Sequence, residues 1–252
     1  MRHKHQSLAG NVILLTGATR GIGRAMCDRL VAEGARVLAV ASNADALERL
    51  RAEFGDAVVA MPCDLDDPQA RAELVAQVKD EVPRLDGLIN NAGIQIEMRF
   101  FAPQHPQIAA MIAREIEINL VAPTELIAGL LPQLGASGSG FVVNVTTGLA
   151  IFPKQASPVY CATKAGLRSL TQSLRYQAMA EGGQVFVSEA IMSLVDTEMT
   201  QGRGRGKISP ERAAGEIVAG LKARKPEIWI GKAKLLRVLA RVVPGVAARI
   251  LR

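Results

Sequence analysis

The sequence predicts an α/β fold: one doubly wound domain, with a parallel sheet of seven strands covered by helices on both faces. Three observations lead there. Short apolar runs alternate with longer segments of helical spacing from Asn11 to Gly231. These runs are nearly uninterrupted, as strands buried on both faces are, rather than alternating. No linker-like stretch divides the 252 residues and no segment repeats, so a single domain over 1–252 is expected.

Each element has its own signal. NVILLT (11–16) is a buried strand that runs into glycine. Gly21 to Glu33 follows with Ile22, Met26 and Leu30 on one helical face, and Gly34 suits the helix end. ARVLAVAS (35–42) and AVVAMPC (57–63) read as strands two and three. Asp67 then caps a helix with Pro68 in its first turn. LDGLINN (85–91) is strand four. A long helix is expected from Pro106 to Leu131, bent near Pro123. FVVNVT (141–146) is strand five, and Pro158 to Glu181 a further helix. QVFVSEAIM (184–192) and EIWIG (227–231) complete the sheet, with a helix starting at Ser209-Pro210 between them.

In such a sheet, ligands bind at the carboxyl ends of the strands, where the strand order reverses. TGATRGIG (16–23) sits there, after strand one. Glycines at Gly17, Gly21 and Gly23 let the backbone turn tightly and approach a ligand, while the N–H groups of the new helix face a pyrophosphate. The pattern alone also fits an ordinary strand-to-helix turn. Strand two ends in Ala41-Ser42-Asn43 with no carboxylate to accept from a 2′-hydroxyl. Arg20 is placed to pair with a 2′-phosphate or to lie solvated in its loop. The balance favours NADP(H) over NAD. Asp64, after strand three, is a partner for an adenine amino group or a cap for its own turn.

VYCATKAG (159–166) puts Tyr160 one helical turn before Lys164. A phenol titrates near ~10, whereas a proton donor working near neutrality is best at ~7. A cation in a dry cleft supplies a stabilisation of that order. Such a pair by itself is common on helix surfaces, but other groups accompany it. Thr147, at the end of strand five, can donate to an oxygen gaining negative charge, with Thr146 as the alternative. Asn119 is polar among apolar helix residues, so it either satisfies a backbone group or holds a water near Lys164.

Taken together, TGATRGIG, the aspartate of CDLDD, NNAG (90–93), Asn119, NVTT and YCATK resemble the short-chain dehydrogenase/reductase family, in their order and spacing, over nearly the whole chain. NVTTGLA, LVDTEMT and the GKAKLLRVLARVVPG tail are most similar to its DltE-like branch. The resemblance implies a Rossmann-type domain and a nicotinamide-dependent oxidoreductase acting on a carbonyl or secondary alcohol. It makes Tyr160 the general acid/base and Lys164 the residue that binds the nicotinamide ribose and acidifies it. Thr147 becomes the polarising hydroxyl and Asn119 the support of a proton relay. It adds Thr19, Ile22, Leu65, Asn91, Ala92 and Gly93 to the cofactor contacts, and it places Val195 and Thr197 against the carboxamide. Three departures stand out: threonine at 147 replaces the usual serine, Met192-Ser193 replaces a Pro-Gly, and strand two lacks the family's frequent arginine as well as the acid.

The net charge of +6 is concentrated in the last fifth of the chain, where 13 Lys and Arg face 3 acids from Gly202 onward. Thr200 to Ser209 alternates glycine with cations and reads as part of a substrate lid spanning 198–225. The basic amphipathic tail, 232–252, suits peripheral membrane contact or packing on a protein surface. Nucleic-acid binding is not expected, since aromatic residues do not interleave the cations. Three scattered cysteines and no CxxC indicate neither disulfides nor a metal site. No apolar run is long enough to span a membrane and no signal-like segment follows the basic N-terminus, so a cytoplasmic setting is expected. Ile94, Leu149, Ile151 and Phe152 point to an apolar small-molecule substrate. A homodimer or homotetramer pairing the 106–131 and 158–181 helices is implied by the resemblance. The competing readings are a nucleotide-binding sensor or scaffold without turnover, and a membrane-surface, lipid-directed reductase.

Overall fold

The computed structural model describes residues 6–101, 106–202 and 204–236. The order is β1 (Val12–Thr16), α1 (Gly21–Ala32), β2 (Arg36–Ala41), α2 (Ala44–Phe54), β3 (Val58–Pro62), α3 (Pro68–Glu81) and β4 (Gly87–Asn90). There follow α4 (Ile108–Ile116), α5 (Ala122–Ala136), β5 (Phe141–Thr147), α6 (Pro158–Ala180), β6 (Phe186–Met192), α7 (Pro210–Lys222) and β7 (Glu227–Trp229). The strands form one seven-stranded sheet in the order β3-β2-β1-β4-β5-β6-β7, with every pairing parallel. The chain reverses its direction of growth between β1 and β4, which opens the crevice there.

Alternate side chains of each strand enter opposite layers, and both layers are apolar. Ile13 and Leu15 of β1 pack with Met26 and Leu30 of α1 and Ile217 and Leu221 of α7. Leu14, between them, joins Leu38, Leu74, Val78, Leu126 and Leu130 on the other face. Each such side chain contributes ~1.5–3 kcal/mol by leaving water, which is why the sheet reads as unbroken apolar runs in the sequence.

The expected element ends hold. After α1, Gly34 N–H donates to Val31 and Ala35 N–H to Leu30, the paired bonds of a Schellman close. Asp67 and Ser209 accept from Gln69 N–H and Arg212 N–H and cap α3 and α7, each with proline in the first turn. One helix, α2, lies outside the elements expected above. Its signal is Asn43, whose side chain accepts from Ala46 N–H at 2.9 Å, followed by Leu47 and Leu50 on the buried face.

The long helix is also corrected. Helical structure runs from Ile108 to Ala136, with a π-helical turn at Glu117–Val121. The irregularity thus falls one turn before Pro123. Proline has no N–H to give to the carbonyl four residues back, and that carbonyl belongs to Asn119. Within the tail, residues 237–252 lie outside the described residues, as does Arg203 of the lid segment.

Candidate active site

Every sequence-predicted site residue lies at or near the carboxyl edge of the sheet or on the helices beside it, but the residues do not all offer their side chains. The glycine turn is shaped from below by β4. Thr16 Oγ1 accepts from Asn91 N–H at 3.0 Å and Ala92 N–H at 3.1 Å, while Asn91 Nδ2 donates to the Thr16 and Gly17 carbonyls at 2.9 and 3.3 Å. The Asn91 side chain is therefore committed to holding the turn. A Cβ on Gly23 would strike the Gly17 carbonyl oxygen and lie 2.7 Å from Asn91 Nδ2. The turn closes on itself only because position 23 has no side chain, and α1 starts within reach of any anion seated there.

On the adenosine side the structure separates alternatives. Asn43 is occupied in capping α2. Asp64 Oδ1 accepts from Asp66 N–H at 3.1 Å and so closes its own turn. Leu65 is buried in the core layer, so only its backbone is available. Arg20 pairs with Glu198 at 2.9 Å, both side chains exposed, which links the glycine turn to the segment after β6. Val195 is buried in the opposite layer and bridges Ile208. Thr197 caps the short 3₁₀ turn Glu198–Thr200. Its methyl would lie 3.2 Å from a Cβ placed on Gly21.

Between β4 and β5 a buried polar ladder supports the catalytic end. Asn90 Nδ2 donates to Asn144 Oδ1, and Asn144 Nδ2 donates to Thr171 Oγ1 on α6, both at 2.9 Å. Lys164 is 4% exposed, and its ammonium donates to the Val145 carbonyl at 3.0 Å. Burial pulls its pKa down from 10.5 to about 8. Gly93 covers it: a Cβ there would lie 3.0 Å from Asn119 Oδ1 and 3.4 Å from Lys164 Nζ. Tyr160 stands one turn earlier on α6, half-buried.

Asn119 meets the first of the two roles open to its side chain. Oδ1 accepts from Ile94 N–H at 2.9 Å, and Nδ2 donates to the Ile94 carbonyl at 2.8 Å and to Thr163 Oγ1 at 3.3 Å. Its main-chain carbonyl is the one that Pro123 leaves without an α-helical donor. Glu115, four residues earlier and fully buried, accepts from Ile96 N–H at 2.8 Å. Burial raises the Glu115 pKa. Two side chains on one helix face thus hold the backbone at 94 and 96, in the loop after β4. Glu115, Thr16, Thr163 and Asn144 brace residues of this candidate site, and sequence spacing did not reveal them. Their partners lie 19 to 76 residues away.

The two threonines also separate. Thr146 is 2% exposed and donates to the buried Glu189 carboxylate at 2.5 Å, which also receives Arg168 at 2.6 Å. Thr147 is half-buried on the opposite side of β5, and its Oγ1 accepts from Leu149 N–H at 3.3 Å. Of the two, Thr147 is the one left partly exposed at the carboxyl edge of the sheet. Of the departures, Met192 pairs with Thr147 across the sheet. Ser193 Oγ would lie 2.6 Å from a Cβ on Gly231. Among the described residues no cluster of metal-ligating side chains is present, and no helix is long and apolar enough to cross a membrane.

A glycine turn after β1 and a buried ammonium on the helix that carries Tyr160, both at the carboxyl edge of the sheet, suit a dinucleotide. The family model described as short chain dehydrogenase matches residues 11–207. The chain is 33% identical over 241 residues to the "uncharacterized oxidoreductase DltE" of Bacillus subtilis strain 168, covering 93% of each chain. It is 30% identical to the ketoacyl reductase HetN of Nostoc sp. strain PCC 7120, over 98% of this chain and 90% of that one. Among solved structures, a short chain dehydrogenase from Burkholderia cenocepacia J2315 in complex with NADP superposes with a TM-score of 0.85. It is 25% identical, and the match covers 98% of this chain and 100% of that one.

Proposed function

From its membership of the short-chain dehydrogenase family, which makes this chain an oxidoreductase, we propose that it transfers hydride between NADP(H) and a carbonyl or secondary alcohol of an apolar small molecule. The observation that carries this reading is the buried Lys164 ammonium, seated under Gly93 and Asn119 one helical turn after Tyr160. A buried cation with one acceptor among its described contacts fits ribose hydroxyls. The glycine turn would hold the pyrophosphate, with Thr19 and Ile22 alongside, and Ser42, Asn43, Asp64 and Leu65 would border the adenosine. Ala92 and Gly93, with Val195 and Thr197, would border the nicotinamide.

When bound, the nicotinamide supplies or accepts the hydride. Tyr160 Oη holds the proton that passes to the substrate oxygen in reduction and takes it back in oxidation. Lys164 favours the phenolate by its charge. Thr147 Oγ1 donates to the same oxygen as negative charge builds, an interaction worth ~10²–10³ in rate when such a donor is removed. The Asn119 carbonyl offers an acceptor for a water that returns protons to Lys164. Ile94, Leu149, Ile151 and Phe152 give the cleft apolar walls, and Leu236 closes one side near Gly148. The ketoacyl reductase relative is consistent with an apolar chain beside the reacting carbonyl.

NADP(H) is favoured by the lack of an acid after β2, by Arg20, and by the NADP-bound relative. A cytoplasmic oligomer paired through α4, α5 and α6 fits Ile116, Leu131, Tyr176 and Met179, large apolar side chains exposed on these helices.

The test is consumption of NADPH and NADH against a panel of ketones. Tyr160→Phe is expected to lower turnover ~10²–10⁴-fold while fluorescence titration shows cofactor binding retained. Equal turnover in that variant sinks the assignment.

A further inference from the structure

We propose that Arg71 is a positioning residue that fixes the loop after β3, the adenosine end of the cofactor groove, against the π-helical turn that carries Asn119. The inference rests on the dinucleotide reading above. Arg71 occupies the inward face of α3 beside Leu74 and Val78, a spacing at which an apolar residue is expected. It is nevertheless 1% exposed, among the largest fully buried side chains of the described residues. A buried guanidinium is costly next to a well-packed apolar side chain unless its donors are met in good geometry.

Here they are met in three directions. Nη1 donates to the Leu65 carbonyl at 2.7 Å, Nη2 to Glu117 Oε1 at 2.5 Å, and Nε to Glu125 Oε2 at 2.7 Å. Leu65 belongs to the loop after β3, Glu117 to the π-helical turn, and Glu125 to the first turn of α5. One planar group therefore joins segments 46 and 54 residues away on the helix side to the loop six residues before it. A second ion pair, Arg114 to Asp66 at 3.3 Å, joins the same loop to α4. The loop is also internally closed. Asp66 N–H donates to Asp64 Oδ1 and Asp67 N–H to the Asp64 carbonyl, each at 3.1 Å.

An apolar side chain could fill the same space, but it would leave the Leu65 carbonyl without this donor and two carboxylates without their shared cation. Lysine offers one point charge in place of a three-way planar fork. The arrangement sets where the Leu65 backbone stands relative to Asn119, and so the span between the adenosine contacts and the Lys164 end.

The experiment compares wild type with Arg71→Met and Arg71→Lys. Each is titrated by fluorescence with NADPH and with reduced nicotinamide mononucleotide, which lacks the adenosine half. Circular dichroism reports folding. Both variants are expected to bind NADPH ~10–100-fold more weakly, the scale of loss when an outer support of a bound metal is removed, with the mononucleotide unaffected. Equal loss for both compounds, or no loss for either, overturns the proposal. Loss of the fold in both variants also overturns it, because Arg71 would then be a structural residue. If wild type itself binds no dinucleotide, the proposed function falls along with the inference. Wild-type binding with unchanged variants removes only the role of Arg71.

Discussion

Lys164 holds its charge under Gly93 and Asn119 with the Val145 carbonyl as acceptor. Taking the ammonium out of water lowers its pKa from 10.5 to about 8, and that shift has a signed consequence for stability. Below pH 8 both the folded and the unfolded chain carry the proton, and well above 10.5 neither does. Between these values the unfolded chain alone is protonated, so the folded state gains as pH rises through the window. The gain is up to about 3 kcal/mol. In urea titrations of the cofactor-free protein, wild type should rise relative to Lys164→Met from pH 8 to 10.5. A pH-independent difference would show that the ammonium is not held dry. Thr146 and Thr147 are adjacent and chemically identical, yet strand alternation sends one to Glu189 and leaves the other partly exposed on the opposite side of β5.

At the scale of elements, the segment 108–136 does most to assemble the site. Glu115 and Asn119 hold Ile94 and Ile96, and Glu117 and Glu125 hold Arg71. The π-helical turn takes up an extra residue between Glu117 and Glu125, so a regular helical projection of this sequence misplaces these two relative to each other. Replacing Pro123 with alanine restores a backbone donor to the Asn119 carbonyl. The expected result is an unchanged or higher Tm, with turnover lower by about tenfold, which is ~1.4 kcal/mol in the barrier, and an unchanged KM for NADPH. Unaltered turnover would remove the Asn119 carbonyl from the proton path. The buried length of this segment also explains why it runs to Ala136, past the expected end at Leu131. Leu134 packs in the core layer beyond Pro132, so tertiary burial continues a helix that proline would otherwise be expected to stop.

Across the whole molecule, the sheet order brings the residues that follow six strands, β1 to β6, to one edge, while α4, α5 and α6 leave Ile116, Leu131, Tyr176 and Met179 exposed. Met179 is 76% exposed and Tyr176 62%. Two apolar side chains one turn apart on a helix are costly to leave in water and favourable to bury between subunits. If the chain assembles through this face as proposed, Met179→Glu with Tyr176→Glu moves the sedimentation velocity toward a single chain while leaving the circular dichroism unchanged. An identical distribution for wild type and variant would remove this face as a subunit contact.

The strands, their parallel arrangement, the glycine turn and the Tyr160–Lys164 pair were all readable from the chain. Each is encoded over a few neighbouring residues: apolar runs for strands buried on both faces, glycines where a Cβ collides, and one helical turn for the pair. What needed the folded molecule was every choice that depends on distant partners. Thr147 rather than Thr146 is left partly exposed at the sheet edge because Glu189 takes the other. Asn119 turns its side chain to Ile94 because the loop after β4 returns there. Arg71 is tolerated in a core layer because Leu65, Glu117 and Glu125 converge on it. Periodicity reports which face a residue occupies, but a hydrogen bond is set by positions within about 3 Å, and only the packing of the sheet and its helices fixes distances that finely.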